Sequence, residues 1–295
     1  AINAGDYNTV VGMDAGKAIT TGESNVAIGY FALNAEDANG QNTAVGSRAL
    51  AKLNVGAEGF NVAVGRDAGY ELTTGVKNTI IGALAGDALT DADFNVAMGY
   101  LALNSDTKGS TSTAIGLQAL ANQNFATATN TYNTAVGFQA GLTITTGVQN
   151  TLIGSLAGDA ITDADVNVAV GYNALTANVL GSKSVAIGGH ALFNQNPATA
   201  VSMFNTAVGN DAGISITTGV QNVFVGAQAG DGTDDANNNV AVGYLALSAN
   251  AGNANTACGA NALQVATGTD NVALGQGAGF GTTSGTHNTF LGHDA

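Results

Sequence analysis

The 295-residue chain holds one proline, one cysteine and no tryptophan. A lone Cys258 excludes an intrachain disulfide framework, and its context reads as a buried small apolar residue, not a nucleophile. Charge is sparse and one-sided: 9% of residues are charged, with 7 Lys and Arg against 21 Asp and Glu, for a formal net charge of −14. Such a surface repels a phosphate backbone, so nucleic acid is not expected as a partner. No run of eighteen apolar residues occurs, so no membrane insertion is expected. His190, His287 and His293 are scattered, and neither a Ser/His/Asp nor a Cys/His grouping can be assembled. Catalysis is therefore not expected. The chain opens in mid-pattern at Ala1 without a charged-then-apolar leader, as expected of a piece processed or excised from a longer protein.

Glycine, by contrast, supplies 42 residues, and the apolar fraction of 45% is dominated by Ala and Val. That is too apolar for a disordered chain and too small-sided for a large interlocking core. The composition is explained by a repeat: Asn, three mostly apolar residues, Gly, then Ala three positions later. Seventeen copies run from Asn8 to Asn288, among them Asn42, Asn61, Asn78, Asn133, Asn150 and Asn205. Asn leads in fifteen copies, while Ser112 and Ser184 lead the other two. Gly holds the fifth position throughout (Gly46, Gly65 and Gly137, for example) and Ala the eighth (Ala49, Ala68 and Ala140). Most copies are 17 residues apart, with 16, 19 and 21 as the exceptions.

A longer period lies on top. The residue after the Ala runs Gly69, Gly86, Leu103, Leu120, then Gly141, Gly158, Leu175, Leu192, then Gly213, Gly230, Leu247, Leu263. The unit is four repeats, and 72 residues separate Asn61, Asn133 and Asn205, which points to block duplication. One solenoid domain over 1–295 is expected, with blocks near 61–132, 133–204 and 205–270 and partial blocks at 1–60 and 271–295.

Segments such as Thr-Ala-Val, Thr-Ile-Ile and Val-Phe-Val are short, β-branched and closed by Gly, which reads as a strand ending in a turn. Gly and Asn every few residues argue against helix. An all-β fold is predicted: a parallel β-solenoid, or β-roll, of about 17 coils of about 17 residues each. The Asn residues are expected to ladder, each amide bonding those above and below. The Gly fits a positive-φ corner or a close backbone approach, and the Ala a site with room for one methyl. In Ala44-Val45, Ile80-Ile81, Leu152-Ile153 and Phe224-Val225 adjacent residues are both apolar, so both faces of the strand call for burial. One face can fill the coil; the other predicts self-association.

The stretches Asn25-Val-Ala-Ile-Gly29, Ser184-Val-Ala-Ile-Gly188 and Asn42-Thr-Ala-Val-Gly46 resemble the head repeats of trimeric autotransporter adhesins. The Asn133-to-Gly154 stretch, with Thr145-Thr146-Gly147, resembles repeats of phage tail fibres. The likeness covers essentially the whole chain, although adhesin-head coils are usually shorter. It implies a left-handed roll, a homotrimer, an extracellular setting on a virion fibre or bacterial surface, and a host cell-surface receptor or glycan as partner.

Candidate sites are few. Acids recur at one phase of the block: Asp87, Asp91 and Asp93; Asp159, Asp163 and Asp165; Asp231, Asp234 and Asp235. Oxygen-rich turns of this kind suit Ca²⁺, the one cofactor the sequence raises, with solvated Asx-type turns as the alternative. The two long coils carry extra residues expected to bulge outward, making Asn122, Asn124, Phe125, Phe193, Asn194 and Asn196 candidates for receptor contact. Thr-Thr-Gly recurs only once per block, so no flat Thr array for ice binding is expected.

Overall fold

The computed structural model describes residues 5–38 and 40–295. The fold is an all-β parallel β-solenoid of seventeen coils, and no helix occurs among the described residues. Two compact units are distinguished, Ala1–Gln149 and Asn150–Ala295. The first holds eight repeat strands, from Thr9–Val11 to Thr134–Val136; the second holds nine, from Thr151–Ile153 to Thr289–Leu291. Within each unit, strands pair in parallel with identical repeat positions facing each other, as Ala27 faces Ala44 in the first and Ala169 faces Ala186 in the second.

Each repeat strand is three residues long, and its middle residue points inward. Ala44, Ala63, Ile80, Leu152 and Phe224 are fully buried, as are the eighth-position residues Ala49, Ala68 and Ala140. The fifth-position Gly satisfies both sequence expectations at once. Gly46 and Gly65 have φ of 134° and 139°, and a Cβ on Gly65 would lie 2.5 Å from the carbonyl oxygen of Gly82 in the next coil. Gly137, at φ 145°, adopts the same conformation. No L-residue side chain fits there.

The Asn column does more than ladder amide to amide. The backbone N–H of Asn61 donates to Oδ1 of Asn42 at 3.1 Å, and that of Asn78 to Oδ1 of Asn61 at 3.0 Å. Most Nδ2 groups reach a carbonyl fourteen residues ahead: Asn61 to Gly75 at 2.9 Å, Asn133 to Gly147 at 2.7 Å, Asn150 to Ala164 at 2.9 Å and Asn205 to Gly219 at 2.7 Å. The carboxamide thus ties one coil to the next and closes its own coil. Direct amide-to-amide bonds, such as Asn78 to Asn61 at 3.2 Å, supplement this.

The corners are left-handed. Among the described residues, forty-one other than glycine have φ between 47° and 64°, a region that ordinarily holds a few per cent of such residues. They fall before the Asn (Lys77, Phe94), at the seventh position (Arg48, Asp67) and at the ninth (Leu103, Leu120). Their amides are committed to the neighbouring coil: Lys77 N–H to Gly59 O at 2.8 Å, Arg48 to Tyr30 at 2.8 Å and Leu103 to Ala119 at 3.0 Å. Conformational strain of about 1–3 kcal/mol per residue is held in place by hydrogen bonds that continue round the corners.

Volume explains the four-coil period. A large strand residue lies against a ninth-position Gly of its own coil or of the coil before it. A Cβ on Gly69 would sit 3.0 Å from Ile80, one on Gly158 2.8 Å from Leu152, and one on Gly213 2.8 Å from Phe224. Where the ninth residue is Leu103, Leu120, Leu175 or Leu192, the strand residue of the same coil is Ala97, Ala114, Ala169 or Ala186. Coils in which both residues are small, such as Ala63 with Gly69 and Ala207 with Gly213, receive the large strand residue of the following coil, Ile80 and Phe224. Gly230→Ala, which crowds Phe224, is expected to cost about 1–3 kcal/mol. In a Phe224→Ala background the crowding should vanish while the strain of a side chain at φ 63° stays, giving a coupling of at least about 1 kcal/mol in a denaturant double-mutant cycle.

Candidate functional site

The residues flanking each buried strand centre point outward. At the second position Thr and Val recur; at the fourth every copy is apolar. Val64 and Met98 in the first unit and Ile153, Ile187, Val225 and Val242 in the second each retain about 37–39% of their surface in solvent. In-register pairing stacks these side chains into an uninterrupted apolar column on each unit. Cys258 belongs to that column and is half-buried, in contrast to the interior place expected of it. Fourth-position residues of a three-residue strand face away from the centre, and a single apolar residue cannot reveal which side it takes.

The long coils divide their candidates between inside and outside. Asn122, Asn124, Asn194 and Asn196 are exposed and Phe193 is half-buried, whereas Phe125 is 6% exposed and lines the interior. The fully buried residues between them, Gln123 and Gln195, carry a role that the sequence pattern did not disclose. These coils begin with Ser in place of Asn, and the Gln supplies the missing carboxamide. Gln123 Nε2 donates to Ser112 Oγ at 2.8 Å while its Oε1 accepts from Asn133 Nδ2 at 2.9 Å. Gln195 repeats this with Ser184 at 3.0 Å and Asn205 at 2.9 Å. Ser in an otherwise constant Asn column was the available signal. The long coils also pair with the coil before them in short second sheets, Thr129–Asn130 with Gly109–Ser110 and Val201–Ser202 with Gly181–Ser182.

The acidic triplets do not converge. Among the described residues no three His, Cys, Asp or Glu side chains come together as a metal site. Asp91 and Asp163 are exposed and accept from Thr90 and Thr162, each at 3.2 Å. Asp93 accepts from the Val76 N–H at 2.7 Å, Asp165 receives at its own N–H the Ser182 hydroxyl as acceptor at 2.9 Å, and Asp235 is exposed. These are turn and cross-coil contacts. Asp87, Asp159 and Asp231 stand apart at the tenth position, half-buried beside the ninth-position Gly. Burial raises the carboxyl pKa of all three, with Asp67 and Glu71 adding to the rise at Asp87.

Threonine stacks more continuously than the Thr-Thr-Gly motif implied. Thr73, Thr90 and Thr107 occupy one column in successive coils, and each hydroxyl donates to a neighbouring-coil carbonyl, at 3.0 Å to Thr90, 2.9 Å to Thr107 and 2.9 Å to Phe125. Thr90 shares its one proton between the Thr107 carbonyl and the Asp91 carboxylate. His190 pairs with Asp211 at 3.2 Å and lies edge-on to Tyr172 and Phe193. Among the described residues no helix is long and apolar enough to cross a membrane.

No protein-family model, curated protein or solved structure matches the chain.

The tenth-position acids make a pH prediction. A carboxyl with a raised folded-state pKa binds its proton more tightly folded than unfolded, so its contribution is full in acid and is lost as pH rises through the raised value. The triple variant Asp87→Asn, Asp159→Asn, Asp231→Asn should melt at a higher temperature than the parent at pH 7. The difference should shrink by pH 4 in parallel thermal melts.

Proposed function

We propose that the chain is a structural fibre segment that associates with copies of itself and serves adhesion at a cell surface, in the manner of phage tail fibres or bacterial surface adhesins. The observation that carries this reading is the fourth-position column, apolar in all seventeen repeats yet turned to solvent. An architecture that encloses Ala, Gly and Asn within the coils has no structural use for Val and Ile outside them. Covering a half-exposed Val or Ile is worth about 1 kcal/mol per coil. Repetition multiplies that gain across the stack, whereas the loss of translational and rotational freedom on association is incurred once per chain. A second copy presents the same column with the same rung spacing, so a symmetric assembly can match it residue for residue. A homotrimer is the stoichiometry proposed, on the resemblance of the repeat. The net charge of −14 and the scarcity of Lys and Arg suit an exposed, soluble fibre and a partner other than nucleic acid.

Two measurements test the reading. Sedimentation equilibrium of the intact chain should give a trimer. A Val64→Asp, Met98→Asp, Ile153→Asp variant should shift to monomer while keeping a β-type circular-dichroism spectrum. A monomeric parent would remove the assembly. Fluorescently labelled protein should be retained on some members of a bacterial panel, and uniform failure to bind would remove the adhesive role.

A further inference from the structure

The most recurrent outward feature besides the apolar column lies one residue past the fifth-position Gly. Tyr30, Tyr100, Tyr172 and Tyr244 occupy this place, each about half exposed at 48%, 51%, 55% and 52%; beyond Tyr244 the seventh positions of the next two coils are Asn261 and Gly277, which form no polar side-chain pair. The carbonyl of each of the first three accepts the N–H of a polar seventh-position residue in the next coil that has a polar partner beyond it: Arg48 at 2.8 Å, Gln118 at 3.0 Å and His190 at 2.9 Å. That residue is then paired with the seventh position of the following coil. Arg48 grips Asp67 at 2.7 and 2.8 Å, Gln139 donates to Gln118 at 2.8 Å, and His190 meets Asp211 at 3.2 Å. Two such pairs lie in the first unit and one in the second. The scaffold therefore sets a phenol beside a polar pair three times while changing the pair.

The first copy is the most developed. Tyr30, Phe31, Asn34, Arg48, Lys52 and Tyr70 line an open cleft of about 340 Å³. The rings of Tyr30 and Phe31 lie 4.5 Å apart, and Arg48 and Lys52 stand 5.2 and 4.8 Å from the Tyr70 ring centre. The cations already have partners, Arg48 with Asp67 and Lys52 with Glu71 at 2.7 Å. Arg66 beside Asp67, and Asp87 near both, complete three charges of each sign.

We propose that this cleft binds a neutral saccharide, with the Tyr100 and Tyr172 shelves as lesser copies along the fibre; the proposal rests on the adhesive reading above and gives it a site and a ligand class. Aromatic faces accept the C–H surface of a sugar ring, and exposed Tyr hydroxyls add polar tips. Sugar hydroxyls both donate and accept, which suits a wall of alternating guanidinium, carboxylate, ammonium and amide. The balanced charge selects against the alternatives. A uronate or sulfate would have to displace Asp67 and Glu71 from their cations, and an amino sugar would face Arg48 and Lys52. A volume of about 340 Å³ sits at the small end of ligand clefts, as befits a mono- or disaccharide. Tyr30 and Tyr100 are four coils apart, roughly 19 Å at the usual strand spacing, so one polysaccharide can engage both and gain avidity.

The test titrates the intact protein with neutral gluco-, galacto- and manno-oligosaccharides, and with sulfated and uronic oligomers of the same length, by calorimetry. Bacterial retention is measured in parallel. The parent should bind at least one neutral series. Tyr30→Ala and Tyr70→Ala should each weaken that binding at least tenfold with unchanged circular dichroism, while Thr127→Ala and Thr199→Ala, at exposed places in the long-coil loops, leave it intact. Cells retained equally by the parent and the Tyr30→Ala, Tyr70→Ala double variant would overturn the site and leave the adhesive role standing. Binding confined to the sulfated or uronic oligomers would overturn the ligand class. A parent that binds neither cells nor sugars would overturn both.

Discussion

Everything in this protein depends on how closely one coil lies on the next at the Asn–Gly edge. The fifth-position glycines meet rung to rung with no room for a Cβ, and the Asn carboxamide binds the amide of the following Asn while closing its own coil. Because backbone hydrogen bonds continue through the corners, side chains need not hold the coil together by bulk. That is why an interior of Ala, Gly and buried Asn is sufficient, and why forty-one residues can persist in left-handed conformations that are individually unfavourable.

With cohesion assigned to the backbone, side chains are released for other work. Inside, they balance volume: Phe224 fits because Gly213 and Gly230 leave space, and Leu175 fits beside Ala169. Outside, the strand flank keeps Val and Ile in solvent, the basis of the proposed assembly, while the corner after the fifth-position Gly varies freely. Arg48–Asp67, Gln118–Gln139 and His190–Asp211 show one scaffold position carrying three chemistries. Constancy and variation are thus separated by a few residues within each coil.

Much of the fold was legible because repetition amplifies weak signals. A three-residue strand such as Thr43–Val45 carries little information alone, but seventeen aligned copies fix both strand and turn. The same averaging hid what departs from the pattern. Ser112 and Ser184 break the Asn column, but the residues that supply the missing carboxamide, Gln123 and Gln195, are eleven residues away in the coil and become neighbours only when it closes. Phe125 was read as surface since insertions usually bulge, yet the interior beside Gln123 receives it. The acids shared a phase in the sequence but not a direction in space, since strand and corner residues separated by one or two positions face different ways. The column of Thr73, Thr90 and Thr107 was missed because it joins members of different motifs.

The alternation of Gly and Leu at the ninth position has a further consequence, for the act of winding. A chain of near-identical rungs risks threading with one rung skipped, since every Asn finds an equally good partner a rung too far along. Side-chain bulk resolves the ambiguity. Skipping a single coil would press Phe224 against leucine where glycine should stand, and would leave a void beside an alanine elsewhere. Only a slip of four whole coils restores the match. The molecule thus checks its own count as it forms, and the errors that escape detection are whole-block exchanges, within a chain or between neighbouring chains.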